Sequence, residues 1–379
     1  MNLTPAVTAY IEKHRDEAFN LLVELAKIPS PSNHEEKRAA FCKDWLDRNG
    51  AKGVYIDNAL NVIYPINCKK NPLVVFVAHN DIVFPDTHEL PLRIEDGRIH
   101  CPGAGDDTAN VAALLTAAKY IARHHLKPKK GGVLLVINSG EEGLGNLKGS
   151  RKIIEDFGSR INEFISFDGC NGKIANGAVG SRRYRVEVTT EGGHSYDEFG
   201  NLNAIVCLAS MIDALYAIKL PKKGKTTYNV GTISGGTSIN TIGQQAEMLF
   251  EFRSDCGDSL AEMDQNLHNI ADIYRARGGD VTVELVGERP CTGDVDPARQ
   301  QALENKAAAA VREYFNLEPE FKSSSTDCNI PLSAGIPSIA VGCYIGYGQH
   351  TREEYVEIES LYPGLQLAFN LVLDYFHDE

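Results

Sequence analysis

Two adjacent carboxylates, Glu141 and Glu142, stand in the stretch Ile137-Asn138-Ser139-Gly140-Glu141-Glu142-Gly143. Neighbouring carboxylates repel unless a cation or a shared proton relieves them, so the pair calls for a metal ion or for divided acid and base labour. Acid pairs in loops are ordinarily just solvated. This one follows Gly132-Val133-Leu134-Leu135-Val136, an apolar run that reads as a buried parallel strand, and glycines on both sides leave the backbone free to approach a ligand. Open α/β sheets bind ligands where their strands end.

Other strand ends offer further ligands. Leu73-Val74-Val75-Phe76-Val77-Ala78 delivers His79 and Asp81, which a period of two turns to one side, so that the carboxylate can orient or charge-balance a metal-bound imidazole. Asp106 and Asp107 open a helix expected from about Thr108 to His124. Acids there can also complement the helix dipole, an alternative role for Asp107 that leaves Asp106 the better ligand. Asp168 ends the run Phe164-Ile165-Ser166-Phe167, and His350 sits in the loop Gly346-Tyr347-Gly348-Gln349-His350 beyond another strand. His79, Asp106, Glu142, Asp168 and His350 are too many donors for one tetrahedral zinc. They suit two metals sharing a bridging carboxylate, with a bridging water as nucleophile and Glu141 spare as general base. Metal-assisted hydrolysis is the reaction class that needs these parts.

Other chemistries fit less well. Gly103-Ala104-Gly105 hints at a dinucleotide loop, but no third glycine follows in place and acids at the helix start would repel a pyrophosphate. A serine hydrolase built on His194-Ser195 lacks a Gly-x-Ser-x-Gly elbow. The net charge of −13 argues against nucleic acid or an anionic membrane as partner. No run approaches transmembrane length and Met1-Asn2-Leu3-Thr4-Pro5 has no signal-peptide character, so a cytoplasmic protein is expected. Nine cysteines without a Cys-x-x-Cys pair suit reduced thiols, which leaves a metal to histidines and carboxylates.

The elements that must position these residues follow from the hydrophobic pattern. At 379 residues the chain suits two domains. Helical spacing is expected over 7–28 and 35–49, then strands and helices alternate to Asp168. Near Gly180 the pattern changes. A strand at 183–190, a helix at 203–217, strands at 228–234 and 247–253, a helix at 259–276 and a strand at 281–285 form a β-α-β-β-α-β series of ferredoxin-like type. A helix at 299–315, a strand at 339–342 and a helix at 360–376 then resume α/β order. The expected division is 1–179 and 289–379 for the first domain, with 180–288 inserted.

Taken in order, these elements resemble the M20 family of co-catalytic metallopeptidases and amidohydrolases. Ala78-His79-Asn80-Asp81 matches the family's Gly-His-x-Asp, Asp106-Asp107-Thr108 its Asp-x-Lys, and Glu141-Glu142 its Glu-Glu. Asp168-Gly169, Gly193-His194-Ser195, Gly235-Gly236-Thr237-Ser238-Ile239-Asn240, Arg253, Thr326-Asp327 and Gln349-His350 follow in the family's order. The departures are Thr108 for a lysine, which alters an outer contact, and Ala78 for a glycine; neither removes a ligand. The resemblance implies a zinc-exopeptidase-like catalytic domain, with a mixed, mostly parallel sheet flanked by helices, and an inserted dimerisation domain. It implies two zinc ions per chain, with manganese or cobalt as alternatives: Asp106 bridging, His79 and Asp168 on one, Glu142 and His350 on the other. Glu141 is then general base and Asp81 supports His79. His194 reaches the neighbouring subunit's site in a homodimer, while Asn240 and Arg253 hold substrate. Asp168 in place of Glu points to the aminopeptidase, tripeptidase and dipeptidase branches, hence a short peptide substrate as in peptidase T. The alternative is an N-acyl amino acid, cleaved by an amidohydrolase of the same family.

Overall fold

Leu73, Val75 and Val77 of the strand Leu73–His79 point to one side of its sheet, and Val74, Phe76 and Ala78 to the other, as the two-residue period of a strand requires. All seven residues are buried, the state of a central strand covered on both faces. The computed structural model describes residues 3–377. The chain up to Ala178 and from Gly293 onward forms one compact unit, and Val179–Thr292 forms a second.

The sheet of the first unit has eight strands, in the order Tyr55–Ile56, Val62–Ile66, Gly132–Asn138, Leu73–His79, Ile161–Ser166, Ser338–Val341, Lys173–Ala178 and Glu320–Ser324. The four middle strands from Gly132–Asn138 to Ser338–Val341 run parallel. Antiparallel pairing joins Val62–Ile66 to one side of them and Lys173–Ala178 to the other. One face packs on the helices Pro5–Ala26, Glu36–Arg48, Asn110–Arg123, Pro297–Phe315 and Leu361–Leu373. The other packs on Lys148–Phe157 and Asn329–Ser333. This is the expected α/β architecture. Because the middle strands are parallel, the ends that deliver His79, Glu141-Glu142 and Asp168 lie on one edge.

Three local features differ from the hydrophobic reading. Lys173–Ala178 and Glu320–Ser324 are strands that no apolar alternation announces; the second is an edge strand, four of whose five residues are exposed. A small sheet of two- and three-residue strands, Gly346–Tyr347, Tyr355–Glu357, Arg98–His100 and Arg93–Glu95, brackets the His350 loop. The helix expected from Thr108 begins as a π-turn over Ala104–Ala109 and becomes α-helical at Asn110. Asp106 (φ −98°, ψ 93°) and Asp107 (φ −121°, ψ 16°) are not helical, and the peptide bond between them is cis.

In the second unit the antiparallel strands lie in the order Thr226–Gly235, Gln245–Ser254, Gly180–Thr189 and Asp280–Arg289. Tyr184, Val186, Phe250 and Phe252 pack with Leu208 and Met211 of helix Ala204–Tyr216 and Leu267 of helix Gly257–Ala276. That is the ferredoxin-like order. Asn203 caps its helix, accepting from the amides of Ile205 (3.0 Å) and Val206 (3.4 Å). Among the described residues no helix is long and apolar enough to cross a membrane.

Candidate metal centre

His79 is the last residue of its strand and is held from three sides. Its backbone N–H donates to Asp107 Oδ2 at 2.8 Å, Nδ1 lies 3.0 Å from the carbonyl oxygen of Asp81, and Nε2 lies 3.0 Å from Asp106 Oδ1. A carbonyl only accepts, so Nδ1 carries a hydrogen and Nε2 is the nitrogen turned to the acids. The carboxylate of Asp81 is farther from Nδ1, at 3.6 Å. Its oxygens accept instead from the amides of Glu141 (3.0 Å) and Glu142 (2.9 Å) and from Ser32 Oγ (2.6 Å). Asp81 therefore steers the imidazole through its carbonyl and fixes the acid pair through its carboxylate. Asp107, whose side chain also accepts from Asn110 Nδ2 at 2.6 Å, ties the helix start to the His79 strand.

Asp106 faces two imidazoles. Oδ1 is 3.0 Å from His79 Nε2 and Oδ2 is 3.3 Å from His350 Nε2, which also lies 2.9 Å from Glu142 Oε1. The loop that presents Asp106 is clamped by Glu354, whose carboxylate accepts from the amides of Gly103 (2.6 Å), Gly105 (2.9 Å) and Asp106 (2.8 Å). Gly103 has φ +75°, and a Cβ there would come within 2.5 Å of Ile82 Cγ2, so a larger residue would push the loop out of place.

Three groups of donors each have ligand atoms within 4.8 Å of one another: His79, Asp106, Asp107 and Asp168; His79, Glu141 and Glu142; and Asp106, Glu142 and His350. All five expected ligands and Glu141 are thus brought together. So many acids in a largely buried place are in conflict without cations. Burial, then the charges of Asp106, Asp327 and Glu142, push Asp168 up to about 7. Bonds to Asp106 and Glu142 raise His350 to about 11. Burial works against the charged form of His79, yet Asp107, Asp106 and Asp81 outweigh it and raise that histidine too. Protons on two imidazoles here do the work that divalent ions would do better. The donor set, imidazole and carboxylate with no thiolate, fits zinc, manganese or cobalt. Binding must expel those protons, so affinity should rise with pH.

Two contributors escaped the sequence reading. Glu354 is 1% exposed and burial pushes it up to about 7, but in Arg352-Glu353-Glu354-Tyr355 nothing marks it apart from solvated acids. Arg38 did leave a signal, since it falls on the inward face of its helix beside Ala39, Cys42, Trp45 and Leu46. Asp327, a motif residue without an assigned role, is fully buried and accepts from Asn138 Nδ2 and Ser150 Oγ, each at 2.6 Å.

The remaining expected residues belong to the second unit. His194 forms a two-residue ladder with Thr241–Ile242, and the amide of Ser195 donates to the carbonyl of Asn240 at 3.1 Å, so His194 and Asn240 share one pair of loops. The amides of Tyr196 and Asp197 point at His194 Nδ1 from 3.4 and 3.3 Å. Asp197 Oδ2 lies 3.3 Å from the same nitrogen, so these contacts all fall on the Nδ1 side of the ring. The Asn240 side chain accepts from Ser238 Oγ at 2.8 Å. Arg253 is already engaged, with Nε 3.0 Å from Glu251 Oε1 and Nη2 3.2 Å from Glu251 Oε2.

Known proteins match this architecture. The succinyl-diaminopimelate desuccinylase of Nitrosomonas eutropha is 28% identical over 272 residues, 67% of this chain and 70% of that protein. A tripeptidase of Staphylococcus aureus superposes with a TM-score of 0.75 at 21% identity, covering 95% of this chain and 99% of that one. The aminopeptidase PepT of Bacillus cereus gives 0.71 at 21% identity, with 94% and 98% covered. At such identity the two structures speak for the fold alone. The model of peptidase family M20/M25/M40 matches residues 75–374, a span that holds every donor described above. The chain belongs to peptidase family M20/M25/M40 and is a metal-dependent hydrolase of peptide or amide bonds.

Proposed function

We propose that the chain is a two-zinc exopeptidase of short peptides with a free amino terminus, working as a cytoplasmic homodimer. The observation that carries this reading is Asp106, whose two carboxylate oxygens each face a different imidazole. In the proposed assignment His79 and Asp168 would hold one ion, Glu142 and His350 the other, and Asp106 would serve both. Bound there, divalent ions would supply Lewis acidity, polarising a carbonyl and lowering the pKa of water. Glu141 takes the proton of the attacking water and passes it to the leaving amine. Asp81 keeps Glu141 and Glu142 in place by their amides, and Asp107 keeps His79 in place by its own. His194 of the partner subunit donates from Nε2 to the oxyanion that develops on the substrate carbonyl. Asn240 and Arg253 contact the rest of the substrate, Arg253 sharing its guanidinium with Glu251. All nine cysteines are free thiols, which suits a reducing compartment.

Asp168, where the resemblance associates Glu with carboxypeptidase and deacylase branches, favours a peptide substrate. The similarity to a desuccinylase supports a second reading, an N-acyl-amino-acid amidohydrolase. A panel of di- and tripeptides, their N-acetylated forms and N-acetyl and N-succinyl amino acids separates the two, run with zinc, manganese and cobalt. Free peptides should be cleaved with kcat/KM at least roughly tenfold above the acylated compounds. The reverse order would establish the amidohydrolase.

A further inference from the structure

Behind the donor cluster lies a guanidinium that, among the described residues, forms no ion pair with a carboxylate. Arg38 is 1% exposed and sits on the apolar face of helix Glu36–Arg48, where packing alone would favour a hydrophobic side chain. All its hydrogen bonds go to neutral acceptors. Nε and Nη2 donate to the Ile28 carbonyl at 3.1 and 2.7 Å, and Nη1 donates to the Asn80 carbonyl at 3.1 Å and to Thr108 Oγ1 at 3.3 Å. Asn80 lies between His79 and Asp81. Thr108 in turn donates to the Gly103 carbonyl at 2.5 Å, at the base of the loop that presents Asp106. One nitrogen of Arg38 therefore spans the two segments that carry His79 and Asp106.

Burial of an unpaired charge is strongly unfavourable unless the surroundings are negative. Here they are: Asp81, Asp106, Asp107, Glu141, Glu142 and Asp168 all stand on these segments or beside them. Burial pulls Arg38 down to about 10, opposed in part by Cys42, Cys101 and Asp81, so it stays charged at neutral pH. We propose that Arg38 is a positioning residue of the metal centre. It holds the His79–Asp81 turn and the Asp106 loop in register, and its fixed positive charge lets the crowded carboxylates keep that register before ions arrive. This rests on the dinuclear reading of the cluster.

The test is the zinc affinity of metal-free protein, measured by competition with a chromophoric chelator beside circular dichroism. Arg38→Met keeps the length and removes the charge; it should fold and bind zinc roughly tenfold or more weakly, the scale on which groups behind metal ligands act. Arg38→Ala should do the same. Because Thr108 Oγ1 touches the guanidinium, Arg38→Ala combined with Thr108→Lys returns a cation to the vacated space from the opposite segment. That double variant should bind zinc more tightly than Arg38→Ala combined with Thr108→Met, which fills the same space without a charge. Wild-type affinity in Arg38→Met, or a lysine double variant that binds zinc no better than the methionine one, would overturn the proposal. Absence of zinc binding by the wild-type chain would instead remove the dinuclear reading itself.

Discussion

Glu141→Gln is expected to lower kcat by on the order of a hundredfold or more, the usual contribution of a general base, with metal content close to wild type. The substitution keeps size and polarity but cannot accept a proton. Glu141 is suited to the test because its backbone is fixed independently of its side chain, through the hydrogen bond its N–H donates to Asp81 Oδ1 at 3.0 Å. Its carboxylate stands with the His79 imidazole and the Glu142 carboxylate in one 4.8 Å group, near enough to exchange a proton with water there. Glu142 differs in having His350 Nε2 at 2.9 Å. Metal analysis beside steady-state kinetics checks the assignment. If Glu141→Gln lost its metals and Glu142→Gln kept them, the two roles would have to be exchanged.

His194→Ala should reduce kcat by on the order of a hundredfold or more with metal content unchanged, because a donor to the developing oxyanion acts mainly in the transition state. The amides of Tyr196 and Asp197 and the Asp197 carboxylate all contact its ring at Nδ1, so the proposed donor to the oxyanion is Nε2–H. Mixing Glu141→Gln chains with His194→Ala chains tests the role between subunits. A mixed dimer contains one site with an intact Glu141 and the partner's intact His194, so activity should return toward roughly a quarter to a half of wild type if the chains exchange and the sites are additive. No recovery despite demonstrated exchange would mean that His194 acts within its own subunit or not at all.

Four of the donors, His79, Glu142, Asp168 and His350, were legible in the sequence because they stand at or beyond the end of an apolar strand, and strand identity is written in local hydrophobicity. What holds them was less legible, because it depends on register between segments far apart in sequence. Glu354 meets the Asp106 loop across some 250 positions, through strands only two and three residues long. The sequence predicts that the Asp81 carboxylate orients or charge-balances His79; it does stand 3.6 Å from Nδ1, while the shorter bond to that nitrogen comes from the Asp81 carbonyl and the carboxylate also meets the Glu141 and Glu142 amides. The helix start shows the same limit. The pattern puts Asp106 and Asp107 just ahead of a helix from about Thr108, yet Asp107 is drawn to the His79 amide and regular α-helix waits until Asn110. Arg253 reads as a substrate residue through the resemblance, and the structure adds a bidentate contact with Glu251.

Calorimetric titration of the metal-free protein with zinc tests the dinuclear centre most directly. Five ligands with Asp106 shared predict about two ions per chain. Binding should release protons, since His79 and His350 are held protonated by the acids around them, and affinity should therefore rise between about pH 6 and pH 8. Saturation at one ion per chain, with no second site at higher zinc and no proton release, would contradict it.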